Sequence, residues 1–295
     1  MSRSAKKGHL LIFFLKGLLM GSADIIPGIS GGTIALITGI YDKLVFAIKS
    51  IDPKIPLYLI LSISDRRYID RVKQSIYSID FYFLLPLIFG IGTAFLVLAQ
   101  IIHFLLSNYS IYVYSFFLGL ILSSAIVLYI RLEEKRIVYL ISLFLGFLSS
   151  YLFLSLSKIQ LDHSLPIIFV SGIISICAMI LPGISGAFIM LLLGQYSYML
   201  NAVRVFYLPP IFAYLIGAVI GILSFSHLLS FLIKKYRFVT LSFLIGIMIG
   251  GLKRPIDKLI IYPFSISMAL FIIIGILMVF GVEYIWMDRK DEFRD

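Results

Sequence analysis

Residues 23–41, ADIIPGISGGTIALITGIY, return at 178–196 as AMILPGISGAFIMLLLGQY, and this echo decides the fold. The offset of 155 preserves Ala23/Ala178, Pro27/Pro182, Gly28/Gly183, Ile29/Ile184, Ser30/Ser185, Gly31/Gly186, Gly39/Gly194 and Tyr41/Tyr196. Self-similarity of this density marks a chain built from two copies of one unit. Further along, an offset of 127 preserves Gly90/Gly217, Tyr109/Tyr236, Ser115/Ser242, Phe116/Phe243 and Gly119/Gly246. The offsets differ by 28 residues, which places an insertion in the first copy, within the polar stretch from about Ser50 to Asp80.

The motif is embedded in apolar sequence. Of 295 residues 61% are hydrophobic and only 14% charged, more apolar surface than a soluble core of this size uses. The apolar residues fall in runs of about 20, enough to cross about 30 Å of hydrocarbon as helix. The basic start at Arg3, Lys6 and Lys7 resembles a secretory signal, but no small-residue cleavage site follows before IIPGISGGT, so it reads as the flank of a membrane helix. The net charge of +10 is distributed as membrane flanks are, which excludes nucleic acid as the partner. A lone Cys177 and four His offer neither a disulfide framework nor metal-ligand spacing, so no metal and no cofactor are expected.

In each copy PGISG separates two apolar pieces, 10–25 from 30–48 and 165–180 from 186–203. Pro and Gly end one helix and let another begin. Basic residues flank the first pair on both sides, Arg3, Lys6 and Lys7 before it and Lys49, Lys54, Arg66, Arg67, Arg71 and Lys73 after it. Both flanks then belong in the cytoplasm, which a re-entrant hairpin satisfies and a single span does not. The predicted fold is an all-α polytopic membrane protein of two inverted-topology repeats. Residues 1–160 form the first, with a re-entrant hairpin over 10–48, a cytoplasmic insertion over 50–80 and three spans near 81–106, 110–130 and 137–157. Residues 161–295 form the second, with a hairpin over 165–203 and spans near 208–232, 238–252 and 259–286. Of the 25 Lys and Arg residues this topology puts 18 in the cytoplasm, five outside (Lys158, Arg204, Lys253, Arg254 and Lys258) and two, Lys16 and Lys43, within apolar segments.

Non-helical backbone survives at membrane depth only where it lines a cavity or is buried in protein, so the two breaks are expected to meet near the midplane. A half-helix starts after each, with free N–H groups and the positive end of its dipole. Gly28, Gly31, Gly32, Gly183 and Gly186 allow an anion close to that backbone, and Ser30, Thr33 and Ser185 add hydroxyls. A phosphate-sized group fits such a cradle; the competing reading is that the breaks only pack the hairpins closely. Asp24, three residues before Pro27 and replaced by Met179 in the second copy, is either a coupling group for a proton or cation or a carboxylate bonded to free backbone donors of the break. Lys16 snorkels or guides a head group. Lys49 and its repeat partner Arg204 mark head-group entrances on the two faces. His103, His227, Gln100, Gln195 and Glu283 read as interface chemistry. Gly17/Gly21, Gly217/Gly221 and Gly246/Gly250, spaced by four, read as close helix packing. The basic, amphipathic DRRYIDRVKQSIYSID lies on the anionic leaflet or meets a partner protein.

The run KGLLMGSADIIPGISGGTIALITGIYDKL (16–44), its echo LPGISGAFIMLLLGQY and SFFLGLIL at 115–122 resemble the bacterial and archaeal polyprenyl-phosphate transporters of the PopT type. The resemblance implies a flippase in the cytoplasmic membrane that returns undecaprenyl phosphate, carrier of envelope sugars, from the outer to the inner leaflet, and the distribution of Lys and Arg over the spans puts both termini in the cytoplasm. The partners the resemblance implies are a polyprenyl phosphate and the bilayer, with oligomeric state open. A polyprenyl-pyrophosphate phosphatase is the first alternative, but no Arg lies within ten residues of Ser30 or Ser185 to stabilise phosphoryl-transfer charge. A carrier of small inorganic anions shares the same site physics, and a structural scaffold has no use for paired broken helices.

Overall fold

Backbone in hydrocarbon must satisfy its N–H and C=O groups internally, which favours helices wherever the sequence is apolar. A computed structural model describes residues 3–26, 29–132, 136–156, 159 and 161–290, with side chains except at 3–7, 64 and 282–290. Pro27, Gly28 and Lys158 lie outside the described residues, as do the side chains of Arg3, Lys6, Lys7 and Glu283. Among the described residues every element is helical. In chain order they are α1 (Arg3–Ile25), α2 (Gly31–Ile37), α3 (Tyr41–Lys49), α4 (Ile55–Ser64), α5 (Arg67–Tyr77), α6 (Phe81–Thr93), a π-helical turn (Ala94–Leu98), α7 (Ala99–Ile130), α8 (Ile137–Leu154), α9 (Leu165–Ile180), α10 (Gly186–Leu192), α11 (Tyr196–Arg204), α12 (Leu208–Lys235), α13 (Arg237–Gly251), α14 (Lys253–Leu259) and α15 (Ile266–Lys290). Five of the described stretches are long and apolar enough to cross a membrane, or seven if each of two bent helix pairs counts as one span.

Those bent pairs correct one expectation. The limbs at 30–48 and 186–203 are not single half-helices: α2 meets α3 at 118° and α10 meets α11 at 107°. The corners turn on Gly39 (φ +69°) and Gly194 (φ +74°), a left-handed conformation that glycine adopts without a Cβ clash. The two glycines are partners in the repeat, so both copies bend at the same place.

The spans expected at 81–106 and 110–130 divide where the sequence divides them: helical backbone is kinked into two at Tyr109 (φ −134°, ψ 29°). Its repeat partner Tyr236 (φ −131°, ψ 48°) divides α12 from α13 in nearly the same conformation. The insertion is a second correction. Rather than polar throughout, it begins with apolar α4, IPLYLILSIS, opened by a proline in its first turn, and α4 packs on amphipathic α5.

Packing joins the halves crosswise. The first helix of each copy lies on a neighbour from its own half, α1 on α6 and α9 on α12, whereas α8 lies on α13 and α15 on α7. The glycine pairs set three of these contacts as expected: a Cβ at Gly17 would strike the Leu87 backbone, at Gly217 the Phe169 carbonyl and at Gly246 the Leu143 carbonyl.

Candidate functional site

The two breaks meet. Ser30 is fully buried (0% exposed), and its hydroxyl donates toward the carbonyls of Met179 at 3.2 Å and Leu181 at 3.1 Å, the backbone just before the second PGISG. The same oxygen accepts the Gly32 N–H at 3.1 Å and so caps α2. Thr33, also fully buried, accepts the Gly183 N–H on its Oγ1 at 2.7 Å. The sequence folds this way because a β-region serine at the N-cap leaves its hydroxyl free to serve both its own helix and a neighbour, and because Gly32 admits the opposite chain: a Cβ there would lie 2.5 Å from the Ile180 carbonyl oxygen. Gly183, at φ +85°, takes a conformation open to few residues besides glycine.

Asp24 fills the N-terminal end of α2. Its Oδ1 accepts the Gly31 N–H at 2.7 Å, which realises the capping geometry weighed for it from sequence. Its Oδ2 is buried with no hydrogen-bond partner among the described residues. Gly31 makes room, since a Cβ would come within 2.5 Å of that oxygen. The donors predicted to face an anion at Gly31, Gly32 and Gly183 are therefore each engaged by a protein oxygen in this conformation. In the second copy Ser185 is buried (3% exposed) and takes the N-cap position of α10 without a side-chain cap bond. The backbone of Gly186 packs on Ser175.

Lys16 departs from its expected snorkelling. It is 6% exposed, and its Nζ donates to the Thr38 carbonyl at 2.7 Å, just past the C-terminal end of α2. Lys49 and Arg204 hold equivalent places in the last turns of α3 and α11; Lys49 is half-buried and Arg204 exposed. Lys43 sits over the Phe13 and Phe83 rings at 4.5 and 4.9 Å and pairs with Asp80 at 3.7 Å. Gln195 is fully buried and donates to the Asp162 carbonyl at 2.8 Å, a structural bond rather than interface chemistry. Beside the first hairpin a wholly apolar cleft of ≈ 660 Å³ opens between α1 and α6, lined by Leu10, Phe14, Tyr82, Leu85, Pro86 and Phe89 among others.

One residue was missed. Arg254, assigned from sequence to an external loop, turns onto Phe188 in α10, its guanidinium carbon 3.7 Å from the ring centre. It lies 69 residues beyond Ser185, so no local spacing links them, and the rule that no Arg approaches the motif holds along the chain but fails in space. The available signal was that its partner at the offset of 127 is Val127.

Paired helix breaks that meet inside a bundle of apolar helices are the architecture of a membrane transporter. Comparison with known proteins narrows this class. Residues 20–282 match the VCA0040-like family, described as undecaprenyl phosphate translocase-like, and the chain belongs to that family. It is 43% identical over 251 residues to the polyprenyl-phosphate transporter of Vibrio cholerae serotype O1 (strain ATCC 39315 / El Tor Inaba N16961), covering 85% of this chain and 79% of that one. It is 28% identical over 261 residues to the polyprenyl-phosphate transporter of Staphylococcus aureus (strain NCTC 8325 / PS 47), covering 82% and 84%. No solved structure matches. Both relatives are named transporters, which sets the phosphatase reading aside.

Proposed function

We propose that this protein carries a polyprenyl phosphate, undecaprenyl phosphate in a bacterium, from the outer to the inner leaflet of the cytoplasmic membrane. The names of its relatives supply the cargo, and the mutual engagement of the two breaks through Ser30 and Thr33 carries the mechanism. Each engaged donor is one that a phosphate can claim. Cargo entering between the hairpins exchanges the Asp24 carboxylate for phosphate at the Gly31 N–H and the Thr33 hydroxyl for phosphate at the Gly183 N–H, with the Ser30 and Ser185 hydroxyls turning to the same group. A phosphate meeting N–H groups at helix starts is favoured by their dipoles. The prenyl tail stays in lipid, and the apolar cleft between α1 and α6 is a surface it can follow.

In this reading the repeats are inverted, the hairpins enter from opposite faces, both termini are cytoplasmic, and one repeat rocks or slides on the other to expose the site to each leaflet in turn. The excess of Lys and Arg in the segments assigned to the cytoplasm supports that orientation. Phosphate displacing a carboxylate leaves Asp24 free to take up a proton or cation, which makes it the coupling group. Lys49 and Arg204 attract the head group at the two entrances.

The test is leaflet accessibility of labelled polyprenyl phosphate in liposomes holding the purified protein. Wild type moves the lipid without releasing phosphate, and Ser30→Leu or Thr33→Val together with Ser185→Leu stops movement in protein that still purifies as a folded species. Full activity in these variants rules out the site between the breaks, and movement of inorganic phosphate in place of the lipid assigns the protein to small anions.

A further inference from the structure

Arg254 has no part in the site as described so far. Its Nε is buried and bonded to nothing among the described residues. The nearby acid, Asp257, is held by Lys253 at 3.0 Å. Tyr114, from α7, is also within electrostatic reach of the guanidinium. A guanidinium offers five N–H donors in a rigid planar fork and meets a phosphate with two parallel bonds. The residue as a whole is half-buried near the start of α14, so it is the buried Nε edge that lacks an acceptor, and a phosphate is a group that supplies one. Stacking on Phe188 fixes the plane of the fork and leaves its edge free.

Two separate contacts put this fork beside the second break. Arg254 follows Gly251 by three residues, and Gly251 packs on the break itself: a Cβ there would lie 2.5 Å from the Gly183 carbonyl oxygen. Phe188 follows Ser185 by three residues on α10. The repeat shows what has been exchanged. Phe188 stands where the first copy has Thr33, and Arg254 where it has Val127. One half brings a hydroxyl and an aliphatic side chain; the other brings a ring and a cation.

We propose that Arg254, braced by Phe188, binds a phosphate monoester at the second helix break and is the residue that senses the charge of the cargo. This rests on the lipid-phosphate reading above and adds to it a counter-ion that the sequence places nowhere near the motif along the chain.

The test compares binding of labelled polyprenyl phosphate and of the uncharged polyprenol of equal length to the full chain in nanodiscs, with inorganic phosphate as competitor. Wild type prefers the phosphate. In Arg254→Gln that preference falls by on the order of tenfold or more, while polyprenol binding, which reports an intact fold, is unchanged. Competition by inorganic phosphate that disappears in Arg254→Gln shows that the head group alone suffices, and competition by the lipid alone shows that the tail is needed as well. Phenylglyoxal modification of Arg254 in the unaltered protein, followed by mass spectrometry, removes any dependence on how the variant folds: polyprenyl phosphate slows it and polyprenol does not. A glutamine variant with the wild-type preference, or modification indifferent to the phosphate, overturns the assignment. A wild type that binds neither phosphate overturns the cargo reading itself, which the wild-type lane alone reveals.

Discussion

Lys16 and Asp24 hold opposite ends of the same short helix. Both belong to α1, eight residues apart, a rise of about 12 Å. Between them lies α2, seven residues long. The Asp24 carboxylate accepts the N–H of its first residue, Gly31, and the Lys16 ammonium donates to the Thr38 carbonyl at its far end, each at 2.7 Å. Anion at the N-terminus and cation at the C-terminus is the arrangement a helix dipole favours, and it matters most where no water can replace either partner. A helix of two turns has little stability of its own; here α1 supplies both ends.

Asp24→Ala is expected to leave the Gly31 N–H buried and unpaired and to cost about 1–3 kcal/mol, read as loss of stability in denaturant or thermal unfolding in detergent. Asp24→Asn retains an acceptor and loses only the charge, so it is expected to spare the fold and, under the proposed coupling role, to change the pH dependence of transport. Transport measured across pH separates the two roles: an asparagine variant with the wild-type profile removes Asp24 from coupling and leaves it as a cap.

The clamp exists in one half only. At the offset of 155, Lys16 and Asp24 become Ser171 and Met179, and the Ser171 hydroxyl turns back to its own helix, to the Ile167 carbonyl. Hydrogen exchange is therefore expected to be slower over 31–37 than over 186–192, because opening α2 breaks two charge-assisted contacts that α10 does not have. Equal protection of the two segments contradicts a stabilising role for the pair, and Lys16→Gln should bring them closer together.

The sequence carried far on the points that repetition makes visible. Two copies of PGISG predict two breaks, and the requirement that bare backbone be buried predicts that they meet, as Ser30 and Thr33 do with Met179, Leu181 and Gly183. What escaped were features set by distant contacts or by single residues. Gly39 and Gly194 were visible as a matched pair, but a glycine in an apolar run does not declare a positive φ. Lys16 was assigned to the interface by its distance from Pro27 along α1; its partner is a carbonyl 22 residues later, brought back by a corner that was itself unseen. Arg254 reaches Phe188 only because the end of α13 lies on the second break, Gly251 against the Gly183 carbonyl.

Close approach of backbone to backbone makes another expectation sharp. Gly32→Ala sets a methyl group against the Ile180 carbonyl, where neither chain has a flexible end to yield. The hairpins must separate or strain, at about 1–3 kcal/mol. Gly92 in α6 has nothing within 4 Å of its Cβ position, so Gly92→Ala should be neutral or slightly stabilising, since alanine favours helix by up to about 1 kcal/mol. Thermal midpoints of the two variants, purified alike, decide the matter. Equal midpoints mean that the breaks are not in the contact described.

The insertion closes on itself. The Ser78 hydroxyl donates to the Ser50 carbonyl at 3.1 Å and the Ser75 hydroxyl to the Asp52 carboxylate at 2.9 Å, so the two ends of the α4–α5 unit lie side by side. Of the helices, α4 packs appreciably on α5 alone. The second copy manages without a counterpart. Replacing residues 53–77 by a two-glycine link is therefore expected to leave a monodisperse, folded protein, because few contacts with the remaining helices are lost and the chain ends already meet. If α4 and α5 rest on an anionic leaflet through Arg66, Arg67, Arg71 and Lys73, the isolated hairpin fused to a soluble reporter binds vesicles containing anionic lipid and releases them as salt rises. A shortened protein that aggregates shows that the insertion supports the bundle, and a fusion indifferent to lipid charge removes the leaflet as its docking surface.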